Sequence, residues 1–268
     1  MESERGAGSE RGIIEPEWSA PARVRSAFTL RTDGVSGSPY DSLNVGAHVG
    51  DAADAVEENR RRVRERLRLR AEPVWLQQVH GVEVAELDEL EPTALTRASK
   101  PPRADAAVTR LPGRVCAIQV ADCMPVLFAA RDGSAVGAAH AGWRGLAGGV
   151  LEETVRTLGV PPAQLIAWLG PTIGQGNFEV GDDVRSAFMA HDPNAASAFE
   201  ANARGRWQCD LVALARQRLA ACGLSAIHGG RWCTFSDAEN FFSFRRDGRT
   251  GRMAALIWLA GTPTNGGR

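Results

Sequence analysis

Lysine is almost missing from this chain: Lys100 is the only one in 268 residues, and Tyr40 is the only tyrosine. The basic side chains are otherwise arginines, and 31 basic against 32 acidic residues leave a net charge of -1. So balanced a chain has no long-range field to draw in nucleic acid or an anionic membrane, and neither is expected as a partner. Cysteine is scarce and odd in number, five with no CxxC pair, which argues against a disulfide framework and against a zinc-finger type of site. Histidine is as rare, five with no HxH pair. Long apolar runs are absent too. The best one, VCAIQVADCMPVLFAA, is broken by Asp122 and is too short for the roughly 20 residues that span a bilayer. The opening MESERGAGSERG is charged and glycine-rich with no apolar core, which fits neither a secretory signal nor an anchor, so a cytoplasmic location is expected.

What remains is an ordinary globular composition, 44% hydrophobic and 24% charged. A chain of this length buries roughly 70 to 75% of its unfolded surface and needs no staples. No repeat, linker or composition break divides it, apart from a loop near SKPPRAD at 99–105. The expectation is one domain over residues 17–260, acting as a monomer, with disordered tails at 1–16 and 261–268. Strand-like runs are short: VRSAFTL, PVWLQQVH, GVEVAEL, AAVT, VCAIQVA, PVLFAA, SAVGAAHA, LIAWLG and MAALIWL. Helical periodicity marks DAADAVEENRRRVRERLRL, LAGGVLEETVRTLG, GDDVRSAFMAH and DLVALARQRLAACG. The first places Val56, Val63 and Leu67 on one face, and its interleaved arginines and acids read as a solvated, ion-paired face. Strands and helices mix along the whole length, which predicts an α+β (mixed α/β) fold, a mixed sheet covered by helices.

Three chemically capable side chains end apolar runs: His80 in WLQQVHG, Cys123 in VCAIQVADC and His140 in SAVGAAH. If they converge, two imidazoles and a thiolate form a His2Cys set suited to zinc, with a fourth position open for water or substrate. Each also has a plain reading. A cysteine at a strand end is most often a small buried hydrophobe, and His80 alone fits a surface histidine. His140, among glycines and alanines, is harder to explain by packing. Asp122 needs a partner, because a carboxylate in an apolar stretch is costly to bury, and Pro125 is expected to stop the strand. Cys116, Cys209 and Cys222 sit in apolar patterns and read as structural, while Cys233 in RWCTFSD stays open.

Arginine supplies a second theme. Arg144, flanked by Gly142 and Gly145 ahead of a helix expected from about Leu146, suits an anion at a helix start. Arg245 and Arg246 form a second anion clamp, or a surface ion pair with Asp247. The aromatic run FFSF at 241–244 either packs in the core or flanks a planar base.

The ordered set SLNVGAHVGD, QQVHG, RADAAVT, ADCMPVLFA, AAHAGWRGLAGGV, LGPTIGQGNFEVG and FFSFRRDGRTGRMAALIWL, running from Val24 to Leu259, closely resembles the YfiH family. Its members carry the labels multicopper polyphenol oxidase (laccase), purine nucleoside phosphorylase and peptidoglycan editing factor. The resemblance implies a zinc site at His80, Cys123 and His140, and a fold like the catalytic domain of cytotoxic necrotizing factor. VADCMP and GPTIGQGN depart slightly from the usual family wording without touching a ligand.

Three activities compete. A multicopper oxidase needs about ten imidazole ligands, and five histidines cannot supply them, although a His2Cys site also takes copper adventitiously. The preferred expectation is zinc-dependent phosphorolysis of adenosine, inosine, guanosine or methylthioadenosine, with nucleoside and phosphate as partners and Arg144, Arg245 or Arg246 on the phosphate. Adenosine deamination fits the same centre, since zinc brings the pKa of a bound water to about 7; Asp122 is then the expected proton carrier. The alternative is a cysteine amidase editing peptidoglycan precursors, with Cys123 as nucleophile and His140 as its base. In a zinc-stabilised binding protein the same three residues are structural, and His48 is the only other histidine within a motif. Asn44 and Gln78 are expected to line the pocket with their amides.

Overall fold

The computed structural model describes residues 9–10, 12–91 and 100–261. The chain opens with strands β1 (Ser9–Glu10), β2 (Ile13–Ile14) and β3 (Val24–Thr29), followed by helix α1 (Ala53–Arg66), β4 (Val74–Trp75) and β5 (Val84–Glu86). Four strands come next: β6 (Ala106–Thr109), β7 (Val115–Val120), β8 (Met124–Ala130) and β9 (Val136–Ala141). Helices α2 (Trp143–Gly148) and α3 (Val150–Leu158) lead to β10 (Leu165–Leu169). Then come β11 (Glu179–Val180), α4 (Asp182–Met189), β12 (Phe199–Ala201), β13 (Trp207–Cys209), α5 (Leu211–Ala221), β14 (Ala226–Gly229), the short α6 (Phe244–Asp247) and β15 (Met253–Leu259).

The mixed α+β character is as expected, but the sheet is double. One six-stranded sheet runs β1-β2-β3-β15-β7-β4 and a second runs β14-β10-β8-β9-β6-β5, with a small β11-β13-β12 sheet beside them. Both large sheets are mixed, since β4/β7, β5/β6 and β10/β14 pair parallel within otherwise antiparallel ladders. The apolar runs explain the doubling. Strands buried on both faces read as continuous hydrophobic runs rather than alternating ones. Along β7, Cys116, Ile118 and Val120 enter the core shared by the two sheets, whereas Val115 and Ala117 join a smaller core with Val63 of α1. Along β8, Leu127 and Ala129 face that shared core, while Val126, Phe128 and Ala130 meet the Leu151 and Val155 face of α3. The order of layers is therefore α1, first sheet, second sheet, then α3 and α5.

Helix α1 buries Val56, Asn59 and Val63 at helical spacing, with Asp54 in its first turn and Arg64 and Arg66 in its last, as the dipole favours. Its outer arginines pair with Glu58 and Glu65, the solvated face read from the sequence. The stretch LAGGVLEETVRTLG is not one helix. Gly149 takes φ 102°, a left-handed value that glycine alone adopts freely, and divides α2 from α3.

Two boundaries differ from expectation. Ile13 and Ile14, placed in the tail, are buried and pair with Thr29 and Phe28, because a β-edge rewards two apolar residues that a coil does not. Pro125 does not stop a strand: β7 has already ended at Val120, and Pro125 sits near the start of β8 opposite His140. The disorder expected of the tails falls, for residues 1–8, 11 and 262–268, outside the described residues, as does Ser99 of the 99–105 loop. Among the described residues no helix is long and apolar enough to cross a membrane.

Candidate metal centre

Three elements deliver the ligands to one end of the sheet pair. Gln78 follows β4 and continues its parallel pairing with β7 through its side chain: Nε2 donates to the Gln119 carbonyl at 2.8 Å, and Oε1 accepts from the Gln119 N–H at 2.8 Å. The chain then turns at His80, whose φ of 61° is left-handed and strained for a residue with a Cβ. Cys123 lies in the turn joining β7 to β8, and His140 is the penultimate residue of β9. One ligand atom from each lies within 4.8 Å of the others, and Cys123 Sγ is 3.8 Å from His80 Nε2. His140 is buried, Cys123 half-buried and His80 exposed, so the cluster opens to solvent on the His80 side.

The residue that organises this corner is Asp105, immediately before β6, which is not among the residues expected from the sequence. Its carboxylate is fully buried and accepts four hydrogen bonds. Oδ2 takes the N–H groups of Val79 at 3.0 Å and Gly81 at 2.7 Å; Oδ1 takes the N–H of His80 at 2.9 Å and Nδ1 of His140 at 2.8 Å. Three successive amides on one carboxylate hold His80 in its left-handed turn. An ionised carboxylate only accepts, so the His140 proton sits on Nδ1 and the Nε2 lone pair is left for a metal. Burial alone raises the Asp105 pKa, but the bonds from His140, Gly81 and Val79 outweigh it and hold the carboxyl below its ordinary value.

The glycine-rich run around His140 now has its reason. A Cβ on Gly142 would lie 2.9 Å from Cys123 Sγ and 2.9 Å from His80 Cδ2, so the α2 backbone packs directly onto two ligands. One on Gly145 would meet the Gly81 carbonyl at 2.9 Å. Electrostatics inside the metal-free cluster are coupled. Burial pushes the Cys123 thiol up, yet the charge of His140 and hydrogen bonds from His140 and His80 bring it well below the usual thiol range. His140 is raised in turn, burial lowering it less than the Cys123 and Asp105 charges lift it. The donor set, His2Cys with all three ligand atoms converging and one side open, fits a zinc ion or another borderline metal.

Several expected site residues sit elsewhere. Asp122 is buried with φ 85°, and its carboxylate is taken up by other donors: Thr234 Oγ1 donates to Oδ1 at 2.6 Å and the Arg245 N–H to Oδ2 at 2.6 Å. Its carbonyl accepts from Thr172 Oγ1 and the Ile173 N–H. Asp122 pins the turn that presents Cys123, with a donor on each carboxylate oxygen. Arg144 is exposed and stacked on the Trp143 ring, in a helix that starts at Trp143 rather than Leu146. Arg245 reaches the Glu179 carbonyl and lies over the Phe178 ring. Arg246 spends its guanidinium on the carbonyls of Thr234, Phe235 and Phe241 and on Asp247, the ion-pair reading. None of the three lines the cavity. Asn44 is fully buried behind it: Oδ1 accepts from the N–H groups of Gly46 and Arg252, and Nδ2 donates to Asp51. Gln78 does line it, with its amide committed to β7.

The cavity beside the ligands measures about 230 Å³ and is completed by His48, by Phe244 of the FFSF run, and by Gln119 and Arg252, which the sequence did not single out. Gln119 Oε1 is buried with no hydrogen-bond partner. Burial and the charges of Arg252, Arg60 and His140 lower the His48 pKa, which keeps that imidazole neutral at pH 7. Cys116 and Cys209 are buried thiols raised by desolvation, in keeping with structural roles, and Cys222 is raised as well. Cys233 accepts from the Gly174 N–H at 3.2 Å, away from this cavity.

Residues 25–260 match the family described as multi-copper polyphenol oxidoreductase laccase. A Pseudomonas aeruginosa protein named as a purine nucleoside phosphorylase is 55% identical over 92% of this chain and 98% of its own. The Escherichia coli purine nucleoside phosphorylase YfiH is 52% identical with the same coverage. A crystal structure of a Neisseria meningitidis protein, 46% identical, superposes with a TM-score of 0.88 over 94% of this chain and all of that one. YlmD from Geobacillus stearothermophilus, 33% identical, gives 0.87 over 94% and 98%. With this fold, this ligand corner and these relatives, the chain belongs to the multi-copper polyphenol oxidoreductase laccase family, the family of YfiH.

Proposed function

We propose that this chain is a zinc-dependent purine nucleoside phosphorylase acting at the His80, Cys123 and His140 corner, with adenosine deamination as a second reaction of the same cavity. The observation that carries the reading is an intact, convergent His2Cys set in a chain 55% identical, over nearly its whole length, to a protein named for that activity. The substrates are a purine nucleoside and phosphate, and the cytoplasm, where both are available, is the proposed location.

In phosphorolysis a phosphate oxygen forms a bond to the anomeric carbon of the ribose as the C–N bond to the purine breaks, and the base leaves with a proton. A zinc ion, when bound, supplies Lewis acidity toward an oxygen ligand. The protein's own residues do the rest. Asp105 fixes the His140 tautomer and the His80 turn, so the ligands are held in place before substrate arrives. His48, neutral and on the cavity wall, is the side chain placed to give or take a proton, the part first expected of Asp122. The cavity has no carboxylate among its described lining residues, which suits an anionic co-substrate.

One observation favours the amidase reading as a second. Without a metal, Cys123, His140 and Asp105 are a nucleophile, a base and the carboxylate that orients the base, and the thiol is already depressed. A metal-bound thiolate is a poor nucleophile, so metal dependence separates the two. Zinc-loaded protein incubated with adenosine, with and without phosphate, and read by mass spectrometry beside Cys123→Ala, is the test. Phosphate-dependent adenine and ribose 1-phosphate, lost on chelation and in the variant, support phosphorolysis. No nucleoside product, with cleavage of a muropeptide precursor that persists in chelator, overturns it in favour of the amidase.

A further inference from the structure

The three arginines that stand out in the sequence as anion binders all lie outside the cavity, yet the cavity wall carries a cation. Arg252, just before β15, is the one arginine among the described lining residues. It is held from behind. Asn44 Oδ1 accepts its backbone N–H at 2.8 Å, and Gly46 packs so close to its stem that a Cβ there would lie 2.7 Å from Cγ. Its Nη1 donates to the Thr250 and Gly251 carbonyls at 3.0 and 2.9 Å. Among the described residues no carboxylate pairs with it, in contrast to Arg246, which Asp247 neutralises. The charges of Cys123 and Asp122 act on it without a hydrogen bond, so this preorganised guanidinium has donors to spare for a tetrahedral oxyanion.

Phe244 is the second observation. The FFSF run divides: Phe241 and Phe242 are buried to 1% and 0%, while Phe244 is 57% exposed on the cavity rim. Only Val35 and Leu111 are comparably exposed large apolar residues among those described, and neither lines this cavity. The Arg252 guanidinium carbon lies 5.9 Å from the Phe244 ring centroid, so cation and aromatic face are neighbours. At about 230 Å³ the cavity falls below the roughly 300 to 1,000 Å³ of pockets that enclose a whole small ligand. A nucleoside with its anionic partner must therefore leave one part outside, and the planar part has an aromatic surface waiting at the rim.

We infer that Arg252 seats the phosphate co-substrate inside the cavity while Phe244 carries the purine ring at its mouth. This assignment rests on the phosphorylase reading above. Charge and shape divide the work: the guanidinium edge takes two phosphate oxygens beside the ligand corner, and the exposed ring stacks the base. The unpartnered Gln119 Oε1 is the acceptor left on the cavity wall for a ribose hydroxyl.

Calorimetric titration of inorganic phosphate, and separately of adenosine, into metal-loaded protein tests the assignment without turnover. Arg252→Gln is expected to weaken phosphate binding about tenfold or more, with Arg252→Lys in between because an ammonium lacks the fork. Phe244→Ala is expected to weaken adenosine binding about tenfold, with phosphate affinity held. Metal content and melting curves are recorded for each variant, so a folding defect is recognised and Arg252→Lys carries the comparison. The inference is overturned if wild-type protein binds no phosphate, if metal-replete Arg252→Gln or Arg252→Lys binds it as wild type does, or if Phe244→Ala binds adenosine unchanged. Arg252-dependent phosphate binding without any ribose 1-phosphate in the product assay supports the anion seat and defeats the phosphorylase reading instead.

Discussion

Replacing Asp105 by Asn keeps the shape of the side chain and removes half of what it does. The carboxylate offers two acceptors, each with two donors: His80 N–H and His140 Nδ1 on one oxygen, Val79 and Gly81 N–H on the other. An amide offers one acceptor and one donor group, so whichever way it turns, two N–H groups face an NH2. Hydrogen bonds to a charged acceptor are worth about 1.5 to 3 kcal/mol each, so the loss is about 3 to 6 kcal/mol against a total stability of about 5 to 15. For a domain of this size that lowers the melting temperature by roughly 6 to 24 °C. Losing the second shell also weakens metal binding about 10- to 100-fold, and the left-handed His80, which costs about 1 to 2 kcal/mol by itself, relaxes out of the cluster. Thermal melts in chelator measure the first effect, and competition with a chromophoric zinc chelator the second. A variant that melts within about 2 °C of wild type and holds zinc as tightly would falsify the account of this corner.

Gly142→Ala is expected to leave the fold intact and displace both ligands its Cβ would touch, so zinc occupancy measured by plasma emission spectroscopy should fall while circular dichroism is unchanged. Thr234→Val strips Asp122 of the hydroxyl that satisfies it, which costs about 1 to 3 kcal/mol in a denaturant titration; an unchanged midpoint would mean the carboxylate finds another partner. Chelation of the bound metal should lower the melting temperature by about 5 to 10 °C when zinc is near a hundred times its Kd, and zinc should restore it. The buried Cys209 thiol gives a pH test. Desolvation pushes it up to about 12 from an ordinary value of 9.0, so the unfolded chain releases this proton first and stability falls as pH rises from about 9 toward about 12. Cys209→Ala should flatten that alkaline limb of a melting-temperature profile; a limb as steep as wild type's assigns the loss to other groups.

The double sheet was partly legible. Runs such as PVLFAA and MAALIWL carry apolar residues at every position, and both of their faces are buried. Periodicity stops there, because nothing local says which two runs stack. Asp105 carries a readable signal: a carboxylate abutting the fully buried strand AAVT needs partners for the same reason Asp122 does. The arginines had none. Arg245, Arg246, Arg249 and Arg252 lie within eight residues, and it takes contacts such as the bond from the Arg252 N–H to Asn44, 208 positions earlier, to set which of them meets the cavity.

By itself the sequence determined the residue types of the ligand corner and the elements that carry them. His80, Cys123 and His140 stand out because each is a polar, chemically capable group at the end of an apolar run, and that contrast is local. The tertiary structure decided which polar groups serve the site and which serve the scaffold. Asp105 and Asp122 are both carboxylates beside apolar strands, but one faces the ligands and the other faces Thr234 and Arg245. A side chain's role follows from the donors around it, and those donors come from strands and loops distant in the chain, brought together only when the two sheets pack.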